Sequence, residues 1–282
     1  RDPVIRDIQI RTQTDRTFLV HAARFPEEGP SAGTLVVFHD VSELRRVDQI
    51  RRDFVANASH ELRTPLTSIQ GFAETLAAGG LDEDMVDRCT ETILRNVIRM
   101  RNLIDDLMDI SKIENREDNA ERTVVDIALL SQQLVADQKK RLESAELTAE
   151  IRLGSQANAW CNKNAVTQVL ENLLTNAIRY TDTGGHITIS IEPATDHLKV
   201  CVADTGIGIP RDALDRIFER FYRVNAARSR AVGSTGLGLA IVKHLVQAMS
   251  GTITVESEEA VGSCFTLTLP LPLHDPLQPN SA

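Results

Sequence analysis

Ser59-His60-Glu61-Leu62-Arg63-Thr64-Pro65-Leu66 places an imidazole, a carboxylate and a hydroxyl within two turns of what reads as a long helix. His60 lies two residues from both Ala58 and Leu62, members of an apolar seam. It therefore points roughly 200° away from that seam and faces outward. A neutral imidazole held in this way can act as a nucleophile if one ring nitrogen is free and the other has a partner for the developing cation. It can equally be an ordinary surface histidine. Pro65 weighs against the ordinary reading. A proline inside a helix removes the hydrogen bond to residue i−4, here the carbonyl of Glu61, at a cost of about 3 kcal/mol. Strain beside a histidine asks for a reason.

Three further blocks could hold a ligand. In Glu171-Asn172-Leu173-Leu174-Thr175-Asn176-Ala177-Ile178-Arg179-Tyr180-Thr181, Asn172 and Asn176 share a helix face at i, i+4. Two carboxamides offer hard oxygen ligands, and Mg²⁺ needs few protein ligands because phosphates and waters complete its shell. A polar stripe on a surface helix is the alternative. In Asp204-Thr205-Gly206-Ile207-Gly208-Ile209-Pro210, a strand ends at a carboxylate able to accept a hydrogen bond from an exocyclic amine. The glycines permit close backbone approach to a flat ligand, although a simple turn would look the same. In Gly233-Ser234-Thr235-Gly236-Leu237-Gly238-Leu239, Gly-rich backbone opens an apolar helix, which is a general anion site. No lysine stands where a Walker loop needs one, and no strand precedes it as in a dinucleotide-binding turn.

These groups need elements to position them. The chain has 282 residues, 42% hydrophobic and 25% charged, which suits a globular protein of about two domains. A net charge of −9 argues against a non-specific nucleic-acid binder. No apolar run of ~18 residues is present, so the chain does not itself span a membrane as a helix. It begins at Arg1 rather than Met, which suggests a fragment with a membrane segment upstream. Cys89, Cys161, Cys201 and Cys264 are scattered among apolar neighbours and read as buried free thiols. His21, His39, His186, His197, His244 and His274 have no ligand spacing and read as structural or surface residues.

Residues 8–11 alternate and residues 17–20 and 34–38 are β-rich, so all three read as strands, with a turn-rich loop at Pro26–Gly33. Val47, Ile50, Phe54, Ala58, Leu62, Leu66, Ile69, Ala73 and Leu76 then recur at helical spacing, and Gly79-Gly80 ends the run. A second helix carries Val86, Cys89, Ile93, Val97, Met100, Ile104 and Leu107. The two form an antiparallel hairpin with too little core of its own, so a homodimeric four-helix bundle is expected. A polar linker follows. Helices at 126–144, 163–178 and 236–249 and strands at 147–153, 186–192, 197–203, 252–256 and 264–269 predict a two-layer α/β sandwich.

The run His60 to Leu66 resembles the phospho-acceptor box of sensor histidine kinases. Phe54-Val55-Ala56-Asn57 before it and Gly71-Phe72-Ala73-Glu74-Thr75-Leu76 after it are similar to phosphate-regulon sensors in particular. The other three blocks resemble the N, G1 and G2 boxes of the ATP-binding fold shared with gyrase, Hsp90 and MutL. Ile217-Phe218-Glu219-Arg220-Phe221-Tyr222-Arg223 resembles the kinase F box, part of a lid. The resemblance covers about residues 42–270. Ser234, where many members have Gly, and Asn162, where many have Asp, depart from it. Asp40-Val41-Ser42-Glu43 and the strands before it resemble the end of a PAS domain, whose Asp anchors the outgoing helix.

The resemblance implies an α+β chain: truncated PAS-like strands over 1–42, a dimerisation and phosphotransfer hairpin over 43–115, a linker over 116–122, an ATP-binding sandwich over 123–271 and a flexible tail over 272–282. It implies autophosphorylation of His60 from ATP·Mg²⁺ and transfer to an aspartate of a response-regulator receiver domain, with dephosphorylation of that regulator as a second activity. Glu61 would be the partner or base of His60, and Thr64 would orient a hydrolytic water. Asn176 would hold Mg²⁺ with help from Asn172. Arg179 would reach phosphate, Tyr180 would stack near the base and Asp204 would select adenine. Gly206, Gly208, Phe218, Phe221, Thr235, Gly236, Leu237 and Gly238 would complete the nucleotide site and lid. Arg211, Arg216, Arg220, Arg223, Arg228 and Arg230 make that lid basic, either to meet phosphates or to be solvated. The implied location is the cytoplasmic side of a bacterial inner membrane, with anchoring only through a segment outside this chain. An amide at Asn172 cannot be a general base, which disfavours a gyrase-like ATPase. A relative acting mainly as a phosphatase, or a non-catalytic ATP-binding scaffold, remain the alternatives.

Overall fold

Runs rich in β-branched and other apolar residues form three antiparallel strands at the N-terminus, β1 (Val4–Ile10), β2 (Arg16–Phe25) and β3 (Gly33–Asp40). The computed structural model describes residues 4–10, 16–25, 33–114, 121–224 and 234–272. Most of the expected 26–33 loop, the linker residues 116–120, Gly233, Arg228, Arg230, His274 and the tail beyond residue 272 lie outside them. The chain divides into two compact units, residues 1–64 and 65–282, and helix α1 (Ser42–Ala78) runs through the division.

In the first unit Asp40 is the anchor. Its Oδ1 accepts hydrogen bonds from the Ser42 amide (3.0 Å) and the Ser42 hydroxyl (2.6 Å). The Ser42 hydroxyl oxygen in turn accepts from the Thr17 amide of β2 (2.9 Å). One carboxylate thus satisfies an orphan donor at the start of α1 and ties the helix to the sheet. These hydrogen bonds hold the exposed Asp40 carboxyl below the usual range.

The second unit opens with the rest of α1, which stays helical through the buried Pro65. Asp82 caps α2 (Glu83–Glu114) by accepting from the Met85 amide at 2.8 Å. Asn96 Nδ2 donates to Ser68 Oγ across the hairpin at 3.3 Å. Cys89, Leu103 and Ile110 of α2 are buried, whereas Leu94, Val97, Ile98 and Ile104 are exposed. A single hairpin cannot cover both stripes, which is why the sequence pattern reads as a bundle.

The remainder is a five-stranded sheet of order β5-β7-β8-β10-β9 with helices on one face. Its strands are β5 (Thr148–Leu153), β7 (His186–Pro193), β8 (His197–Asp204), β9 (Thr252–Glu258) and β10 (Gly262–Pro270). Only the β5–β7 pair is parallel. Ile187, Ile189 and Ile191 of β7, Leu198, Val200 and Val202 of β8, and Phe265, Leu267 and Leu269 of β10 alternate into the core. Over them lie α3 (Ile127–Asp137), α5 (Lys163–Tyr180) and α6 (Gly238–Ala248). The single helix predicted over 126–144 is two, α3 and the short α4 (Lys139–Ser144), meeting at Gln138. A two-stranded ladder, β4 (Thr123–Asp126) with β6 (Asn158–Cys161), was not expected. Four-residue strands carry too little alternation to register in the sequence.

The expectation of four free thiols is corrected. Cys201 of β8 and Cys264 of β10 form a disulfide, with Cα atoms 6.4 Å apart. Cys264 stands opposite Ala203, two residues from Cys201, so both side chains lie on the same face of adjacent strands. Cys89 and Cys161 are free and buried. Burial pushes the Cys161 thiol up to about 11.

Candidate active site

In the first unit His60 is exposed on α1, as its angular position predicts. Glu61 is half-buried beside it, and the Thr64 hydroxyl donates to the His60 carbonyl at 3.2 Å. The Ser59 hydroxyl makes the same backward bond to Val55 at 2.8 Å.

The second unit holds a cavity of about 320 Å³ lined by residues of the three ligand blocks of the sequence. Helix α5 supplies one wall. Asn162 caps it, accepting from the Ala165 amide at 2.8 Å, so the amide at this position does the work of an aspartate. Val169, Leu170, Leu173, Leu174 and Ala177 bury one side of α5. The other side therefore presents Asn172, Asn176, Arg179 and Tyr180 to the cavity. The Asn172 Nδ2 donates to the Gln168 carbonyl at 3.0 Å, which turns its oxygen toward the first turn of α6. Burial lowers the Arg179 guanidinium below its ordinary value, opposed by Tyr180 and Asp106.

Asp204 ends β8 at the opposite wall, paired in register with Ser263 of β10 and Ile187 of β7. Its Oδ1 accepts from the Gly206 amide at 2.9 Å. Burial raises the Asp204 carboxyl, and the backbone amides of Gly206 and Ser263 oppose that rise. Gly208 lines the cavity.

Residues 234–236, just before α6, form the third wall. The Thr235 hydroxyl oxygen accepts from the Leu237 amide at 3.3 Å, and the Thr235 carbonyl accepts from Arg223 Nη2 at 2.9 Å. The Phe221 amide donates to the Gly236 carbonyl at 2.8 Å. Gly236 has φ +75°, and a Cβ there would lie 2.9 Å from Phe221 backbone. Residues 221 and 236 therefore meet at a position only glycine fits.

Not every expected site residue reaches the cavity. Gly206, Phe218, Phe221 and Leu237 are outside its lining. Leu237 is fully buried in the core, and Phe218 stacks edge-on against Phe265 with centroids 6.5 Å apart. Arg223 lines the cavity, whereas Arg216 lies over the Tyr222 ring at 4.4 Å. Sequence reasoning also missed lining residues. Ser263 and Phe265 come from β10, and Asn102 and Asp106 come from α2, where their spacing reads as a solvated helix face. Among the described residues no cluster of three or more His, Cys, Asp or Glu could hold a metal ion, and no helix is long and apolar enough to cross a membrane.

Comparison with known proteins places this geometry. Residues 50–116 match the His Kinase A (phospho-acceptor) domain, and residues 161–273 match the histidine kinase-, DNA gyrase B- and HSP90-like ATPase family. The sensor histidine kinase WalK of Bacillus subtilis is 38% identical over 254 residues, which are 86% of this chain and 40% of WalK. The sensor-like histidine kinase SenX3 of Mycobacterium tuberculosis is 36% identical over 277 residues, 96% of this chain and 68% of SenX3. The chain thus spans between two-fifths and about two-thirds of the length of these relatives. The solved structure of the Acinetobacter baumannii histidine kinase AdeS superposes with a TM-score of 0.63 at 29% identity, covering 75% of this chain and 98% of AdeS. An exposed histidine in its acceptor motif and an ATPase-type cavity thus recur here at identities and coverage that leave one assignment: this chain belongs to the sensor histidine kinase family.

Proposed function

We propose that the chain transfers the terminal phosphoryl group of ATP to His60 and passes it to an aspartate of a response-regulator receiver domain. The observation that carries this reading is the convergence of Asn172, Asn176, Arg179, Asp204 and Thr235 on one cavity in a chain that also exposes His60. In the transfer, the unprotonated ring nitrogen of His60 forms a bond to phosphorus as the bond to the bridging oxygen of ADP breaks. The imidazolium that results keeps its proton on the other ring nitrogen, where Glu61 balances the charge or accepts that proton, and ADP leaves with the bridging oxygen. Asp204, on its two backbone amides, accepts the adenine amine. Arg179 meets phosphate charge from a partly desolvated position, where its field is strong.

The donor set fits Mg²⁺. Asn172 and Asn176 are hard oxygen donors one turn apart, and the Asn172 oxygen already faces the start of α6. Bound there, the ion would neutralise phosphate charge. As an amide, Asn172 cannot activate water, which favours transfer over hydrolysis.

The same proposal includes a homodimer through the exposed hairpin stripe, the domain limits 43–115 and 123–271, and a PAS-like origin for β1 to β3, whose outgoing helix is held by Asp40. Membrane anchoring would come from a segment outside this chain. Regulator dephosphorylation would use Thr64, whose exposed hydroxyl can exchange the His60 carbonyl for a water.

Incubation with ATP labelled in its terminal phosphate tests the reading. Acid-labile, base-stable label that disappears in His60→Ala supports it. Tight ATP binding without label would leave a scaffold. Regulator dephosphorylation retained by His60→Ala would favour a relative acting mainly as a phosphatase.

A further inference from the structure

Helix α2 contributes a carboxylate to the nucleotide cavity. Leu103 and Ile110 are on its buried side, and Asp106 stands one turn from each. It is therefore held on the packed face, where an acidic side chain needs partners. Its Oδ2 accepts from the Thr235 hydroxyl at 2.6 Å, and Arg179 acts on it electrostatically. One turn on, Asp109 Oδ2 accepts from Gln168 Nε2 of α5 at 2.5 Å. The helix is thus fastened at two successive turns, once to the loop before α6 and once to α5.

Thr235 organises the approach to the α6 N-terminus by accepting from the Leu237 amide, and the same hydroxyl is committed to Asp106. Arg179, Arg223 and the start of α6 are the groups in this cavity suited to phosphate, and Arg223 reaches the same residue as Asp106, donating to the Thr235 carbonyl. The ionised Asp106 therefore places a negative charge beside the phosphate-binding groups. A nucleoside triphosphate brings more negative charge there than a diphosphate.

We infer that Asp106 is a specificity-determining residue: with α2 fastened to Thr235, the site favours nucleoside diphosphate over triphosphate, and triphosphate binds well only when Asp106 releases Thr235. Product would then hold the hairpin against the site, and fresh substrate would free it. This rests on the nucleotide-site reading above.

The test is calorimetric titration of the whole chain with ADP and with the non-hydrolysable β,γ-imido analogue of ATP, both with MgCl₂. Asp106→Asn keeps the side chain's size and a hydrogen-bond acceptor but removes the charge. It should tighten the triphosphate analogue about five-fold or more while ADP changes less than about two-fold, as expected for one charge at short range in a partly desolvated site. Asp109→Asn removes a charge from the next turn, which faces Gln168, and should keep the wild-type ratio. An unchanged ratio in Asp106→Asn, or an equal shift in Asp109→Asn, overturns the inference and leaves the nucleotide site standing. Failure of the wild type and both variants to bind either nucleotide overturns the nucleotide-site reading and this inference with it.

Discussion

The oxygen of Asn172 lies where the first turn of α6 has no side chain: a Cβ at Gly238 would be 2.9 Å from Asn172 Oδ1. The contact is with the end of a side chain, so an added methyl displaces the carboxamide and leaves the backbone in place. Alanine also favours a helix over glycine by roughly 1 kcal/mol. Gly238→Ala is therefore expected to keep or slightly raise the melting temperature while weakening Mg²⁺-dependent nucleotide binding about ten-fold. Thermal denaturation alongside titration with nucleotide, with and without Mg²⁺, checks this. A large fall in stability would contradict it.

Asp204 has its carboxylate held by two backbone amides. Asn at this position presents one oxygen instead of two and no charge. Hydrogen bonds to charged groups contribute about 1.5–3 kcal/mol. Asp204→Asn should weaken ATP by roughly ten-fold or more, and the preference for ATP over GTP should shrink. Competition binding with the two nucleotides measures both.

Asp106 makes the docking of α2 sensitive to pH. Burial, the largest cause, pushes its carboxyl from 3.8 up to about 6; Asp109 and Asp105 push the same way, against the Thr235 hydroxyl and Arg179. A carboxyl raised on folding holds its proton longer in the folded form. Its contribution is fully present below 3.8 and is lost as pH rises through about 6. The α2 amides around Asp106 should therefore open more readily at pH 7 than at pH 5, after correction for intrinsic exchange. Asp106→Asn should flatten that difference. Hydrogen exchange read by mass spectrometry gives the comparison.

Asp40 carries the connection from β2 and β3 into α1. Asp40→Ala removes the helix cap, at a cost of about 1 kcal/mol, and loosens Ser42 from Thr17. Amide exchange should rise over the first turns of α1, whereas nucleotide affinity of the cavity in the other unit should stay unchanged. A fall in nucleotide affinity would contradict this separation.

Much of the chain was legible without coordinates because local pattern decides it. The heptad-like seam of α1 and α2, the outward angle of His60 and the alternation in β7, β8 and β10 are short-range properties of the backbone. The ligand blocks at Asn172–Tyr180, Asp204–Gly208 and Thr235–Gly238 are contiguous, so their residue types announce themselves. Tertiary packing decided the rest. Cys201 and Cys264 are 63 residues apart, and only the β8–β10 register brings their sulfurs together. Leu237 sits among cavity residues in the chain yet turns into the core, because the loop must bury one side chain as α6 starts. Asp106 belongs to a helix whose exposed and packed polar residues look alike in sequence. Its role at the cavity exists only because α2 lies against α5 and α6, a long-range contact that no local periodicity encodes.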